Sequence, residues 1–170
     1  MNKIHPDRPI LLKLGLALGM LLVATLACYT PWRKADAERE AISQVSLVEK
    51  EIHTPLDAVL LAETLSSRRD VHTAYAGMER IYVTDHSCEE IVTEYRDTMT
   101  SIGWVAGSGS CDQAIWLIMV HHTYGARFTV WASPPEGSKL AEEWQHLREQ
   151  YLDQTLYYVI SSVGVEYEEP

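Results

Sequence analysis

Basic residues are the first shortage. The chain carries 14 Lys and Arg against 24 Asp and Glu, and no basic cluster interrupts the acidity. Setting aside residues 1–28, which hold Lys3, Arg8, Lys13 and Asp7, leaves 11 basic and 23 acidic residues, a formal charge of −12. A domain of that sign repels phosphate backbones and anionic headgroups, so no nucleic-acid partner is expected. Metal-binding patterns are missing as well: there is no Cys-x-x-Cys pair and no His-x-x-x-His helix pair among the seven histidines. The adjacent His121 and His122 would point to opposite faces of a strand and so cannot share an ion without a bulge, while His53, His72, His86 and His146 are isolated. No metal, cofactor or catalytic residue is assigned on this basis. Internal repeats and low-complexity tracts are also lacking. The acidic end, Glu166, Glu168 and Glu169, reads as a solvated tail.

What is present bounds the class. Hydrophobic residues make up 46% of the 170, enough to build a core and too many for a disordered tail. The length suits one domain once a targeting segment is set apart.

That segment is the N-terminus. Leu14 to Cys28 (LGLALGMLLVATLAC) is apolar and uncharged, preceded by Lys3, Arg8 and Lys13 and followed by Tyr29, Trp32, Arg33 and Lys34. As an uncleaved helix from about Ile10 to Trp32 it has roughly the 20 residues that a bilayer core requires. Lys13 would snorkel to one interface, and Tyr29 and Trp32 would sit at the other. As a signal peptide, residues 1–13 are a basic n-region and Leu14–Ala27 the h-region. Thr25-Leu26-Ala27-Cys28 then resembles a bacterial lipoprotein box, with cleavage before Cys28 and lipid on that cysteine. Thr25 departs from the usual large aliphatic residue, and the Gly/Ser-rich tether common after such cysteines is absent. A third reading, a helix buried in the domain, is opposed by apolar residues on every face. Both leading readings attach the chain to a membrane. Charge flanks both ends of the run, so the positive-inside count does not orient it.

The expected organisation is therefore residues 1–32 as anchor or lipoprotein signal, 33–54 as a charged stalk or linker, and 55–170 as an α+β domain. In the stalk, apolar positions are sparse: Ile42, Val45 and Ile52. Thr54 before Pro55, with Asp57 near by, suits a helix start, whereas Ala58–Leu65 suits a buried strand; the strand is preferred because the next segment needs partners. Glu79–Thr84, where β-branched and aromatic residues alternate with polar ones, reads as a strand. Ser87 with Glu90 three residues on forms a capping box. Ile91, Val92, Tyr95, Met99 and Ile102 share a helical face, and Gly103 provides the stop, which predicts a helix over Cys88–Ile102. A short strand at Trp104–Ala106 follows. Ala114–His121 and Ala126–Ala132 then flank Thr123-Tyr124-Gly125 as a β-hairpin. Ser133–Glu136 caps a second helix, in which Leu140, Trp144, Leu147 and Tyr151 share a face, and Leu156–Val163 reads as the last strand. This order predicts an antiparallel sheet with both helices packed on one face.

The run Cys88-Glu89-Glu90-Ile91-Val92, then Tyr95-Arg96, Met99 and Gly103-Trp104, resembles a pattern of small bacterial envelope lipoproteins and signal-anchored proteins. The resemblance implies an extracytoplasmic α+β domain, and it carries no functional residues with it.

Three residues remain as candidate chemistry. Cys88, in the first turn of a helix, and Cys111, after a strand end, can reach disulfide distance, which places the domain in an oxidising compartment. Cys28 is the lipidation candidate. The competing use of Cys88 is a thiolate at a helix N-terminus near Asp85 and His86, but neighbours along a chain need not converge in space. Glu89-Glu90 and Glu142-Glu143 begin helices, where they complement the dipole. Trp116, Trp131, Trp144, Tyr157 and Tyr158 either line a pocket or fill the core. The resulting expectation is a membrane-anchored extracytoplasmic binding or interaction module of the bacterial envelope, held by its N-terminal segment, with a protein or ligand as partner. The alternatives are a hydrolase-type enzyme and a structural accessory subunit of a membrane complex.

Overall fold

The computed structural model describes residues 8–52, 54, 57–70 and 72–166, with the side chains of 8–17, 19, 21–22 and 24–31 outside the description. In chain order the elements are α1 (Arg8–Glu51), β1 (Val59–Arg69), β2 (Thr73–Thr84), α2 (Cys88–Ser101), β3 (Val105–Ala106), β4 (Ile115–His121), β5 (Ala126–Trp131), α3 (Ala141–Gln150) and β6 (Thr155–Glu166). The strands form one six-stranded antiparallel sheet in the order β1-β2-β6-β5-β4-β3, so the class is α+β.

Local chemistry sets the element ends. At α2 the Ser87 hydroxyl accepts from the Glu90 N–H, and the Glu90 carboxylate accepts from the Ser87 N–H, so the capping box is complete. Gly103, at φ +97°, turns the chain out of that helix, a conformation that L side chains resist. The hairpin joins β4 to β5 through residues 122–125, with Gly125 at φ +57°. α3 begins later than its capping motif suggested. Gly137 holds φ +82° in a turn closed by the Ser138 N–H on the Pro135 carbonyl, so the helix starts at Ala141.

Side chains alternate across a strand, and here the alternation divides the core in two. Tyr82 and Tyr157 face α1 and α2, together with Leu117, Met119, Phe128 and Val130. Their chain neighbours Ile81 and Tyr158 face the other way, where they meet Trp144 and Leu147 of α3 with Val83 and Leu156. The expectation of both domain helices on one face is thus corrected: α2 and α3 lie on opposite faces. Each face carries enough apolar area to need its own cover. Trp116, Trp131, Trp144, Tyr157 and Tyr158, read from the sequence as pocket lining or core, belong to these two clusters.

The segment expected to be a stalk is helical, and it is also part of the core. Ala37, Ala41, Val45 and Val48 of α1 are buried against the sheet, in one cluster with the small side chains Ala74, Ala76 and Ala126. Complete burial of Val45 and Val48 contributes about 1.5 kcal/mol or more each. Polar contacts fix the direction of α1. Glu38 accepts from Ser67 and Arg69 of β1, Glu49 from Arg80 of β2 and Ser161 of β6, and Glu51 from Tyr124 in the β4–β5 turn. The helix therefore crosses the sheet from the β1 edge toward the β4–β5 turn as its numbering rises, and its N-terminal part leaves past β1. At 1.5 Å per residue the 44 residues extend about 66 Å, well beyond the sheet.

The expected anchor, residues 1–32 with its span at about Ile10–Trp32, lies partly in residues 1–7, which are outside the description, and otherwise in the first part of α1, where most side chains are too. Among the described residues no helix is long and apolar enough to cross a membrane.

Candidate functional site

Cys88 and Cys111 stand at disulfide distance, with Cα atoms 5.9 Å apart and a sequence separation of 23. The capping box fixes the first, and the glycines of the loop before Cys111 place the second. Gly109 passes so close to the Trp116 backbone that a Cβ there would strike its carbonyl. Closing a loop of this length stabilises the fold by about 3 kcal/mol. The geometry leaves the thiolate reading little support. Cys88 faces Cys111, while the His86 imidazole lies 3.6 Å from the Glu90 carboxylate. Cys28 lies on α1, and its side chain is outside the description.

Two recesses flank the C-terminal end of α1. The first, about 290 Å³, is lined by Glu49, Ile52, Thr54, Glu63, Arg80 and Tyr82 among others. On β2, Arg80 has the same parity as Ala74, Ala76 and Tyr82, so its guanidinium is carried to the covered face and has to be paired there. Glu49 takes Nη1 in a nearly buried ion pair, and Glu63 lies 3.3 Å from Nε. Ser161 donates to the other Glu49 oxygen. These bonds tie α1 to two strands and engage the charged groups with one another, which is a structural use of them. Removing one partner of such a pair leaves a charge out of water without compensation.

The second recess, about 370 Å³, is lined by Glu51, Ile102, His121 and Tyr124. Tyr124 donates to Glu51 Oε1 at 3.1 Å, and the carboxylate beside it raises the phenol pKa above its usual value. His121 is buried, stacked on Tyr124 at 4.5 Å between ring centroids, with the Trp104 indole edge-on at 5.3 Å. Its Nδ1 is buried without a hydrogen-bond partner, as is Trp104 Nε1. A carboxylate, a phenol and a flat aromatic wall in one open recess suit a small polar ligand or the side chain of a partner. The imidazole stacks on the phenol rather than bonding to it, so no proton path links the three groups.

On the α3 face Glu79 is buried and accepts from Tyr158, from Ser138 at 2.9 Å and from the Lys139 N–H at 3.2 Å. Burial and this carboxylate push the Tyr158 pKa upward. The network pins the turn before α3 to the sheet. Among the described residues no three His, Cys, Asp or Glu side chains are grouped as a metal site.

Sequence reasoning did not find Glu49, Glu51, Arg80 or Tyr124. Arg80 was readable in principle, since its parity with Ala74, Ala76 and Tyr82 turns it inward. Glu51 and Tyr124, 73 residues apart, meet only because α1 crosses the sheet. In comparisons with known proteins, no family model, no curated protein and no solved structure matches the chain.

Proposed function

We propose that the protein is an extracytoplasmic binding module carried on its membrane by α1, with the recess of Glu51, His121 and Tyr124 as its contact site. One observation carries the reading. The same helix that is buried at Ala37–Val48 is bare farther back, with Leu18, Met20, Val23 and Trp32 exposed by 63, 65, 67 and 64%. At about 100° per residue these four described side chains point to more than one side of the helix. Large apolar side chains exposed on several sides of one helix suit a bilayer. The Cys88–Cys111 proximity agrees with an oxidising compartment. The recess lies at the far end of α1 from the proposed span, about 28 Å along the helix from Trp32 to Glu51, where a partner can reach it. A second reading keeps the placement and replaces the span by lipid on Cys28. It is favoured by the small Ala27 before that cysteine, and it leaves only residues 28–36 between lipid and sheet.

Membranes from cells making the full chain are washed in alkaline carbonate, and protease is added outside intact protoplasts. The protein is expected to stay with the membranes and its domain to be digested. Release by the wash contradicts the anchor, and protection from protease contradicts the placement.

A further inference from the structure

We infer that the free edge of β1 is the surface the domain turns toward its own membrane, lying at headgroup level. The inference rests on the anchored reading and adds an orientation to it. α1 leaves the sheet past β1, because its contacts pass from β1 at Glu38 to the β4–β5 turn at Glu51. Trp32, at the proposed interface, precedes Glu38 by six residues, about 9 Å of helix. Two strand spacings cover about the same distance. No spacer separates bilayer and sheet, so the sheet stands edge-on with β1 nearest the lipid.

The character of β1 agrees with this. It is an 11-residue edge strand, with Lys139 Nζ donating to the Leu65 carbonyl on its outer side. Such edges are normally blunted by charge, bulges or a cover, and β1 has charge at Glu63, Arg68 and Arg69 and a register shift at Leu60/Ala62. Beside these it exposes Val59, Leu60 and Leu65 by 57, 43 and 40%. In a domain of net charge −12 its only acid, Glu63, lies against Arg80, while Arg68 and Arg69 stand at its end. Arg39 is close by on α1. Of the acids there, Asp36 pairs with Arg39, Glu38 with Arg69, and Glu40 accepts from Gln44. Apolar and basic side chains suit the headgroup layer, where water still reaches the free N–H and C=O groups. A second copy fits less well. Antiparallel pairing of two β1 edges places the two-fold axis normal to the sheet, so the two α1 helices would leave in opposite directions, which one bilayer cannot receive.

Photoreactive p-benzoylphenylalanine is placed at Leu65 or, in a second variant, at Leu152, an exposed site after α3, in the full chain reconstituted in phosphatidylcholine vesicles. Both positions face solvent, so both variants should fold. After irradiation the chain carrying the probe at 65 is expected to gain the mass of one lipid, and the chain with the probe at 152 to gain none. A crosslink from 65 to a second copy, or equal lipid capture at both positions, overturns the orientation. No lipid at either position in chains that sediment with the vesicles also overturns it, while leaving the anchor intact. Chains that do not sediment with vesicles overturn the anchored reading itself.

Discussion

Ser87 and Glu90 exchange hydrogen bonds at the start of α2, and the Ser87 N–H and hydroxyl hold the Glu90 carboxyl below its ordinary value of 4.5, with His86 adding to the effect. A depressed folded pKa means the contribution is present above the unfolded value and is lost as the pH falls through the folded one. The Glu90 carboxyl, followed by NMR, should therefore titrate with a midpoint below 4.5. In Ser87→Ala the midpoint should move up toward the ordinary value, and the domain should lose about 1 kcal/mol. A Glu90 midpoint at or above 4.5 in the native chain would remove the capping box from the account. These two residues were legible in the sequence because a capping box is local, with both partners and their spacing lying within four positions. Cys88 and Cys111 were legible for a related reason, since a helix start and a nearby strand end leave them few other places to be. The contact of Tyr124 with Glu51 had no such local signature. It depends on where a helix from the other end of the chain comes to rest.

At the scale of elements, α1 is the clearest difference from expectation, and alanine explains it. The stretch 33–54 holds Ile42, Val45, Leu47, Val48 and Ile52 as large apolar residues, of which only Ile42, Val45 and Ile52 were taken up in the sequence, too sparse a pattern for a buried face. The buried stripe is Ala37, Ala41, Val45 and Val48, at the i, i+4 and i+3 steps of one helical face, while Ile42 is only partly buried. Small side chains on the helix share one cluster with small side chains on the sheet, so the helix lies close and few large residues are needed. Ala41→Leu should overpack this contact and cost about 1–3 kcal/mol in denaturant unfolding. Ser43→Leu, on the exposed side of the same turn, should be nearly neutral. Equal effects of the two substitutions would mean that the helix is a detached stalk. The strands, the β4–β5 hairpin and both domain helices lie where their periodicities placed them, although β1 runs on to Arg69, β2 begins at Thr73 and α3 starts only at Ala141. The side of the sheet taken by α3 was not set that way, because a helix's apolar stripe does not say which face of a sheet it will cover. That is decided by strand parity, with Ile81 and Tyr158 on one side and Tyr82 and Tyr157 on the other.

For the whole molecule, one helix joins three roles: its N-terminal part is the proposed anchor, its C-terminal part is core, and its last residue lines the recess. In the proposed placement this arrangement would give the domain a fixed attitude to the bilayer rather than a tether, with the recess about 28 Å from the interface along α1. A swivelling stalk would average out any orientation, whereas a helix that passes into the sheet does not. The measurement that tests the central claim most directly is the intact mass of the chain extracted from membranes and alkylated under denaturing conditions, before and after reduction. The account predicts the full-length mass with one thiol labelled, that of Cys28, and two more, Cys88 and Cys111, labelled only after reduction. A mass beginning at Cys28 with lipid attached would replace the helical anchor by a lipid one. All three thiols labelled without reductant, on a chain recovered from the soluble fraction, would contradict both the anchor and the compartment.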